Sequence, residues 1–172
     1  GDTISLEHQQ MEFGYCYPSD STGNTFSFAE HSGKVFMLEM SASWWPGCFT
    51  DIPEGELIYE HWKDDPRVKI LHSLDDPDQP YSCMQWGNAG EIGIPPILDD
   101  GTENIIREWF TRKPGASDEG YPLSIFINSN MELYEILDGG SMNFETVNGI
   151  ISQMLEGDWY SIPLDILNLG NN

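Results

Sequence analysis

The sequence predicts an α/β protein in which helices flank a central mixed β-sheet. Residues 35–40 form an almost wholly apolar run, which is typical of a strand covered on both faces. Strand and helix patterns alternate after this run, and the chain then returns as two strands joined by a turn at 128–131. At 172 residues we expect one domain, with a hairpin extension (1–33), a core (34–157) and a tail (158–172).

The N-terminal half is predicted to hold a hairpin and the first strand–helix–strand unit, in which the two strands lie side by side. The long helix places Leu57, Ile58 and Trp62 on its inward face and leaves His61 exposed. The predicted elements are hairpin strands at 13–17 and 25–28 around a turn at 21–24, a helical turn at 29–34, a helix from 46–48 to 63, and a strand at 68–74.

The C-terminal half is predicted to carry an insertion after the second core strand and then the antiparallel part of the sheet. Asn143 is expected to start the last helix. The predicted elements are a short helix at 81–87, an extended piece at 94–101, a helix at 104–110, a loop at 113–120, strands at 120–128 and 132–137, and the final helix.

Charge and composition exclude several classes of partner. The chain has 29 acidic and 7 basic residues, a net charge of −22, which argues against nucleic acid and anionic membranes as partners. No apolar run approaches the roughly 20 residues of a membrane span. The acidic loop at 75–80 lacks EF-hand spacing, so we expect a solvated loop and predict no metal or cofactor. Three cysteines leave at least one unpaired, and Cys16 is expected to be a buried structural residue.

The segment that carries chemistry is residues 34–53. Cys48 is predicted to lie at the start of a helix, where the helix dipole and free N–H groups favour a thiolate. The segment resembles the thioredoxin family, whose pattern is a buried strand, Trp-Cys-x-x-Cys, and a proline five residues after the second cysteine. Trp44, Cys48 and Pro53 fit that pattern, and Glu39 stands six residues before the first motif position, where the family has a buried acid.

The segment at 26–35, which leads into the first core strand, and the insertion after the second core strand are similar to those of the redoxin branch of this family. That branch includes cytochrome-maturation reductases and AhpC/TSA-like peroxiredoxins. The resemblance covers residues 26–157. It implies a thioredoxin-like fold and a protein or peptide thiol/disulfide partner. It also implies a periplasmic or other extracytoplasmic location with the signal peptide removed; the leading Gly1 is typical of a cloning remnant.

The resemblance further implies roles for single residues. Pro122 matches the family's cis-proline, which with Tyr121 would present backbone to a bound peptide beside Trp44. Glu39 would move a proton to or from Cys48; the alternatives are an edge-facing carboxylate or one paired with Lys69.

One departure puts the activity in doubt, because Trp45 occupies the position of the attacking cysteine. Cys83 begins a helix after the second core strand, so its thiol is expected near Cys48. Two interpretations remain open for these cysteines: a redox pair that replaces the lost motif, or two separate reduced thiols. A peroxidase is disfavoured, since Trp45 also stands where peroxiredoxins have Thr or Ser.

The sequence therefore predicts a thiol–disulfide oxidoreductase relative with a degenerate motif and weak or atypical redox activity through Cys48. The alternative is a non-catalytic module that binds peptide at the Trp44/Trp45/Pro122 groove, with Trp86 adding to the aromatic face. A third possibility concerns the gene: the Trp codon UGG is one base from the cysteine codons and from UGA, which some redoxins read as selenocysteine at this position.

Overall fold

The computed structural model describes residues 2–18, 24–75, 80–100, 105–106, 109, 120–138 and 142–160. Several predicted segments lie partly outside these residues: 21–23 of the turn at 21–24, 76–79 of the acidic loop at 75–80, 104, 107–108 and 110 of the helix at 104–110, 113–119 of the loop at 113–120, and 161–172 of the tail at 158–172. The elements are α1 (Leu6–Gln10), β1 (Phe13–Tyr17), β2 (Thr25–Phe26), a 3₁₀ turn (Ala29–His31), β3 (Val35–Ala42), α2 (Pro46–Trp62), β4 (Val68–Asp75), α3 (Cys83–Gly87), β5 (Ile97–Asp99), β6 (Leu123–Ile127), β7 (Leu133–Asp138) and α4 (Phe144–Tyr160).

The strands form one mixed seven-stranded sheet in the order β2-β1-β5-β4-β3-β6-β7. The pairs β3/β4 and β4/β5 are parallel, and the other four pairs are antiparallel. All eight residues of β3 are buried. The predicted α/β class, with a mixed sheet and neighbouring first and second core strands, is confirmed.

The two faces of β3 meet different layers, because side chains alternate along a strand. Val35 and Met37 pack against α2 and α4, in one cluster with Ile58 and Ile151. The even-numbered residues pack on the other face; they are Phe36, Leu38 and Met40, in a cluster with Phe26, Phe28 and Ile106. Glu39 belongs to the odd-numbered set and so faces α2.

Helix α2 follows the prediction in its bounds and differs in one inward position. Ile58 and Trp62 are buried as expected, but Leu57 is 47% exposed. The expectation for Leu57 is wrong because the buried face of α2 runs through positions 48, 51–52, 55–56, 58 and 62, and residue 57 is turned about 100° away from residue 58. Among the described helices, none is long and apolar enough to cross a bilayer.

Candidate active site

The candidate site lies where the carboxyl end of β3 turns into the first turn of α2. Trp45 is the N-cap residue of α2, with extended backbone (φ −99°, ψ 115°), and Pro46 is the first helical residue. Proline fits this position because its missing N–H would have no helical partner there. The same turn places Cys48 two residues further on, directly under the end of β3.

Cys48 is a buried, reduced thiol. Its side chain is fully buried, and its Sγ accepts a hydrogen bond from the Ala42 N–H at 3.4 Å. The thiol pKa is raised to about 11, and burial is the main cause. The negative charges of Glu39 and Asp51 raise it further, whereas the hydrogen bonds from Ala42 and Ser41 lower it. The expectation that the helix start favours a thiolate is therefore wrong, since desolvation outweighs the helix terminus.

Glu39 is also buried, with 4% of its surface exposed. The Ser41 hydroxyl donates to Glu39 Oε1 at 3.1 Å, and Glu39 Oε2 lies 3.7 Å from His72 Nδ1. Burial first and the nearby Asp51 second raise the pKa of Glu39 to about 8, while the Ser41 hydrogen bond lowers it. A carboxyl group with this pKa has a proton that is exchangeable near neutral pH.

The two alternatives for Glu39 do not match the structure. The carboxylate is not at an edge, since β3 lies between β4 and β6. Lys69 pairs in register with Phe36, whereas Glu39 pairs with His72. Because side chains alternate, Lys69 projects from the opposite face of the sheet and cannot meet Glu39.

An exposed aromatic pair covers the site from outside. Trp44 and Trp45 are 48% and 47% exposed, and their rings meet edge to face at 6.2 Å. Trp44 also contacts Tyr121 edge to face at 5.9 Å, and the Tyr121–Pro122 peptide bond is cis. The Trp45 indole lies over the first turn of α2, where a Cβ on Gly47 would come 2.7 Å from its Nε1.

Trp86 does not belong to this exposed face. Its side chain is fully buried, so the expectation that it adds to an exposed aromatic surface is wrong. Its ring packs edge to face on Phe49 at 4.6 Å, and its indole N–H donates to His72 Nε2 at 3.2 Å. A bulky apolar residue in a short helix over the sheet is buried for the usual hydrophobic reason.

The cysteines pair in a way that the sequence did not predict. Cys16 and Cys83 form a disulfide with a Cα–Cα distance of 5.9 Å, and Cys48 stays free. Both interpretations for Cys48 and Cys83 are therefore wrong, and Cys16 is a crosslinked residue. The cause is the position of the hairpin: β1 pairs with β5, which brings Cys16 next to Cys83 at the start of α3.

Sequence reasoning missed two buried polar residues, His72 beside the site and Glu56 in a structural role. His72 is 3% exposed, and burial lowers its pKa to about 3, so it is neutral. Glu56 is 3% exposed and accepts the N–H groups of Ile92 and Gly93 at 2.7 Å each. His72 could have been found, because it interrupts the apolar run of β4 as Glu39 interrupts that of β3. Nothing in the sequence distinguishes Glu56 from the other acidic residues, of which the chain has 29 in all.

The region beside the site is apolar. A surface groove of about 480 Å³ lies between the first turn of α2 and α3; its lining residues are Phe49, Tyr81, Met84, Gln85, Trp86, Asn88 and Ala89. Within the described residues, no group of three or more His, Cys, Asp or Glu side chains is arranged to hold a metal ion.

Comparison with known proteins identifies the fold. No family model matches the chain, and no curated protein matches it. Among solved structures, the chain is similar to the pneumococcal exposed lipoprotein thioredoxin from Streptococcus pneumoniae, with a TM-score of 0.62, 18% identity, and 83% of this chain and 98% of the other covered.

Two further structures show the same likeness. A secreted disulfide oxidoreductase from Mycobacterium tuberculosis has a TM-score of 0.60 at 15% identity, with 87% of this chain and 99% of the other covered. A PrxQ mutant from Xylella fastidiosa has a TM-score of 0.66 at 12% identity, with 91% and 96% covered. The chain therefore has the thioredoxin-like fold predicted from its sequence, and the structures that it resembles are thioredoxins and redoxins.

Proposed function

We propose that this chain is a relative of the thiol–disulfide oxidoreductases that receives a protein or peptide partner beside Trp44, Tyr121 and Pro122. Its redox activity is weak or atypical, because Trp45 stands at the attacking position and Cys48 is the thiol that remains. The observation that carries the proposal is the buried acid Glu39, which faces α2 near Cys48 and has a pKa of about 8. A carboxyl group of that pKa can exchange a proton with a thiol at neutral pH.

The chemistry follows from thiol–disulfide exchange. The Cys48 proton passes to Glu39, the Cys48 sulfur bonds to one sulfur of the partner's disulfide, and the other sulfur leaves as a thiolate that then takes up a proton. A second thiol of the partner must release the mixed disulfide, since residue 45 has no sulfur. With a thiol pKa of about 11, about one Cys48 in ten thousand is ionised at pH 7, which supports the proposal of a weak activity.

Location and domain organisation are part of this proposal. Similar structures include an exposed lipoprotein and a secreted enzyme. We extend that setting to this chain, and an oxidising compartment is consistent with the Cys16–Cys83 disulfide. One domain with a hairpin extension and a C-terminal tail remains our proposal for the organisation of the chain.

The second candidate function is a non-catalytic module that binds an extended peptide. Trp44 and Trp45 favour it, because an exposed aromatic pair beside a backbone edge is a common feature of peptide-binding surfaces. The complete burial of Cys48 also favours it. The apolar groove beside Phe49 would extend the contact surface.

Reduction of insulin disulfides by the wild type, Trp45→Cys and Trp45→Ser separates the two functions. We expect Trp45→Cys to be at least about tenfold faster than the wild type, because it adds an exposed attacking thiol next to Cys48. Trp45→Ser removes the indole without adding sulfur and is expected to stay near the wild-type rate.

Two results would change the conclusion. If Trp45→Ser is as fast as Trp45→Cys, the indole limits access to Cys48, and the missing thiol is not the cause of weak activity. If neither the wild type nor a folded Trp45→Cys reduces insulin, the oxidoreductase proposal fails and the binding module stands.

A further inference from the structure

Trp86 on α3, His72 on β4 and Glu39 on β3 lie next to one another in the interior. The Trp86 indole donates to His72 Nε2 at 3.2 Å, and His72 Nδ1 lies 3.7 Å from Glu39 Oε2. All three side chains are less than 5% exposed. The connection therefore runs through the interior, away from solvent.

The Trp86 hydrogen bond determines where His72 carries its proton. An indole N–H is a donor only, so His72 Nε2 must accept. A neutral imidazole has one N–H, and this bond places it on Nδ1, the nitrogen that faces Glu39. Within the described residues, His72 Nδ1 has no hydrogen-bond partner, and a movement of about 1 Å would bring it within bonding distance of Oε2.

We propose that His72 is a positioning residue for Glu39: its Nδ1–H, fixed by Trp86, turns to the carboxylate when Glu39 has given up its proton. The buried carboxylate then has two donors, the Ser41 hydroxyl on Oε1 and the His72 N–H on Oε2. This inference deepens the proposed function and rests on it for the link to Cys48, since the same carboxyl group exchanges its proton with the thiol.

The other groups around Glu39 do not replace this role. Helix α2 contributes Cys48 and Asp51, and Asp51 raises the pKa of Glu39. Strand β6 pairs Ser124 with Glu39, and the Ser124 hydroxyl donates to Met142 Sδ at 3.6 Å. His72 is thus the group on β4 that can donate to Oε2.

The test is a carbon-13 NMR titration of the Glu39 carboxyl group in the whole protein and three variants. The wild-type midpoint is expected near pH 8. His72→Leu removes the donor and is expected to raise the midpoint by about one pH unit. His72→Asn keeps an N–H at the place of Nδ1 and is expected to stay near the wild type.

Trp86→Phe gives a second test, in which both Glu39 and His72 are kept and only the hydrogen bond to His72 Nε2 is removed. Without the indole donor, the imidazole proton can move to Nε2, and Nδ1 then accepts from protonated Glu39. The midpoint is expected to rise, as in His72→Leu. Amide spectra show whether each variant keeps the fold.

The inference is overturned if His72→Asn shifts the midpoint as much as His72→Leu does, or if folded Trp86→Phe leaves the midpoint unchanged. Neither result depends on activity. A protein that reduces no disulfide can still show the expected midpoints, so failure of the proposed function is distinguishable from failure of this inference.

Discussion

Glu39 and Glu56 are equally buried glutamates with opposite acid strength. Their exposed fractions are 4% and 3%, yet the pKa of Glu39 rises to about 8 and that of Glu56 falls below its ordinary value. Burial raises the pKa in both. At Glu56, hydrogen bonds from the N–H groups of the segment 91–93 lower the pKa by more than burial raises it. At Glu39, the hydrogen bond from one serine hydroxyl is too weak to offset burial, and the nearby Asp51 raises the pKa further. The balance between burial and hydrogen-bond donors therefore decides which carboxyl group is ionised, and a small exposed surface alone does not.

The difference separates a structural acid, Glu56, from Glu39, the acid for which we propose proton exchange. Glu56 fastens the segment after α3 to α2 through bonds that span 36 and 37 residues of sequence. Glu39 makes no such connection and lies in a strand that would pack more stably with an apolar residue. A buried acid with so few hydrogen bonds costs stability, which agrees with the proton exchange that we propose for Glu39.

The largest loss of folding stability is expected for Glu56→Ala. Removing the carboxylate leaves the N–H groups of Ile92 and Gly93 without their acceptor, and we expect a loss of about 3 kcal/mol in the free energy of unfolding at pH 7. Urea denaturation measures it. Glu60→Ala is the matched control on the same helix, because its pair with Lys63 is exposed and is expected to contribute little to the free energy of unfolding. Equal losses for the two variants would contradict the structural role of Glu56.

Glu39→Gln should change how stability depends on pH. The folded protein holds the Glu39 proton more tightly than the unfolded chain, so stability falls as pH rises from about 4.5 through about 8. His72 acts in the opposite direction between about pH 3 and 6.5, so the interval from pH 6.5 to 8 isolates Glu39. Between pH 6.5 and 8, the free energy of unfolding of the wild type is expected to fall by about 2 kcal/mol relative to that of Glu39→Gln.

Urea denaturation at pH 5, 6.5 and 8 measures this change. The difference between the two proteins removes the general repulsion of a chain with a net charge of −22, because both carry nearly the same charge. Parallel pH profiles for the two proteins would show that Glu39 is already ionised at pH 6.5.

The smallest effect is expected for Ser41→Ala, which removes the donor to Glu39 Oε1. The ionised acid loses its hydrogen bond, so we expect a loss of about 1 kcal/mol at pH 9 and much less at pH 5. Ser73→Ala is the matched control, since Ser73 is also buried but pairs with Met40, on the other face of the sheet. A loss in Ser41→Ala that is independent of pH would indicate packing alone.

The fold was predictable because its signals are local. The apolar run of β3, the start of α2 at Pro46 and the mixed sheet all follow from residues close together in sequence. Glu39 was found in the same way, as a charged residue within an apolar strand. The interpretation that Trp45 stands at the position of an attacking thiol needed only the spacing to Cys48.

The rest depends on contacts between distant parts of the chain. The disulfide joins residues 67 apart, and it exists because the hairpin pairs with β5, which the sequence did not indicate. The prediction of a thiolate at Cys48 failed for a related reason. The sequence shows where the helix starts, but the burial of that start depends on the packing of α2 against the sheet.

The Cys16–Cys83 bond has a consequence for the integrity of the molecule. It closes a covalent ring that contains β3, α2 and β4, and with them Glu39, Cys48 and His72. A protease that cuts the chain once at any point within this ring leaves a single molecule of full mass. Two fragments separate only after a reductant opens the disulfide, so non-reducing and reducing electrophoresis of a nicked sample would differ.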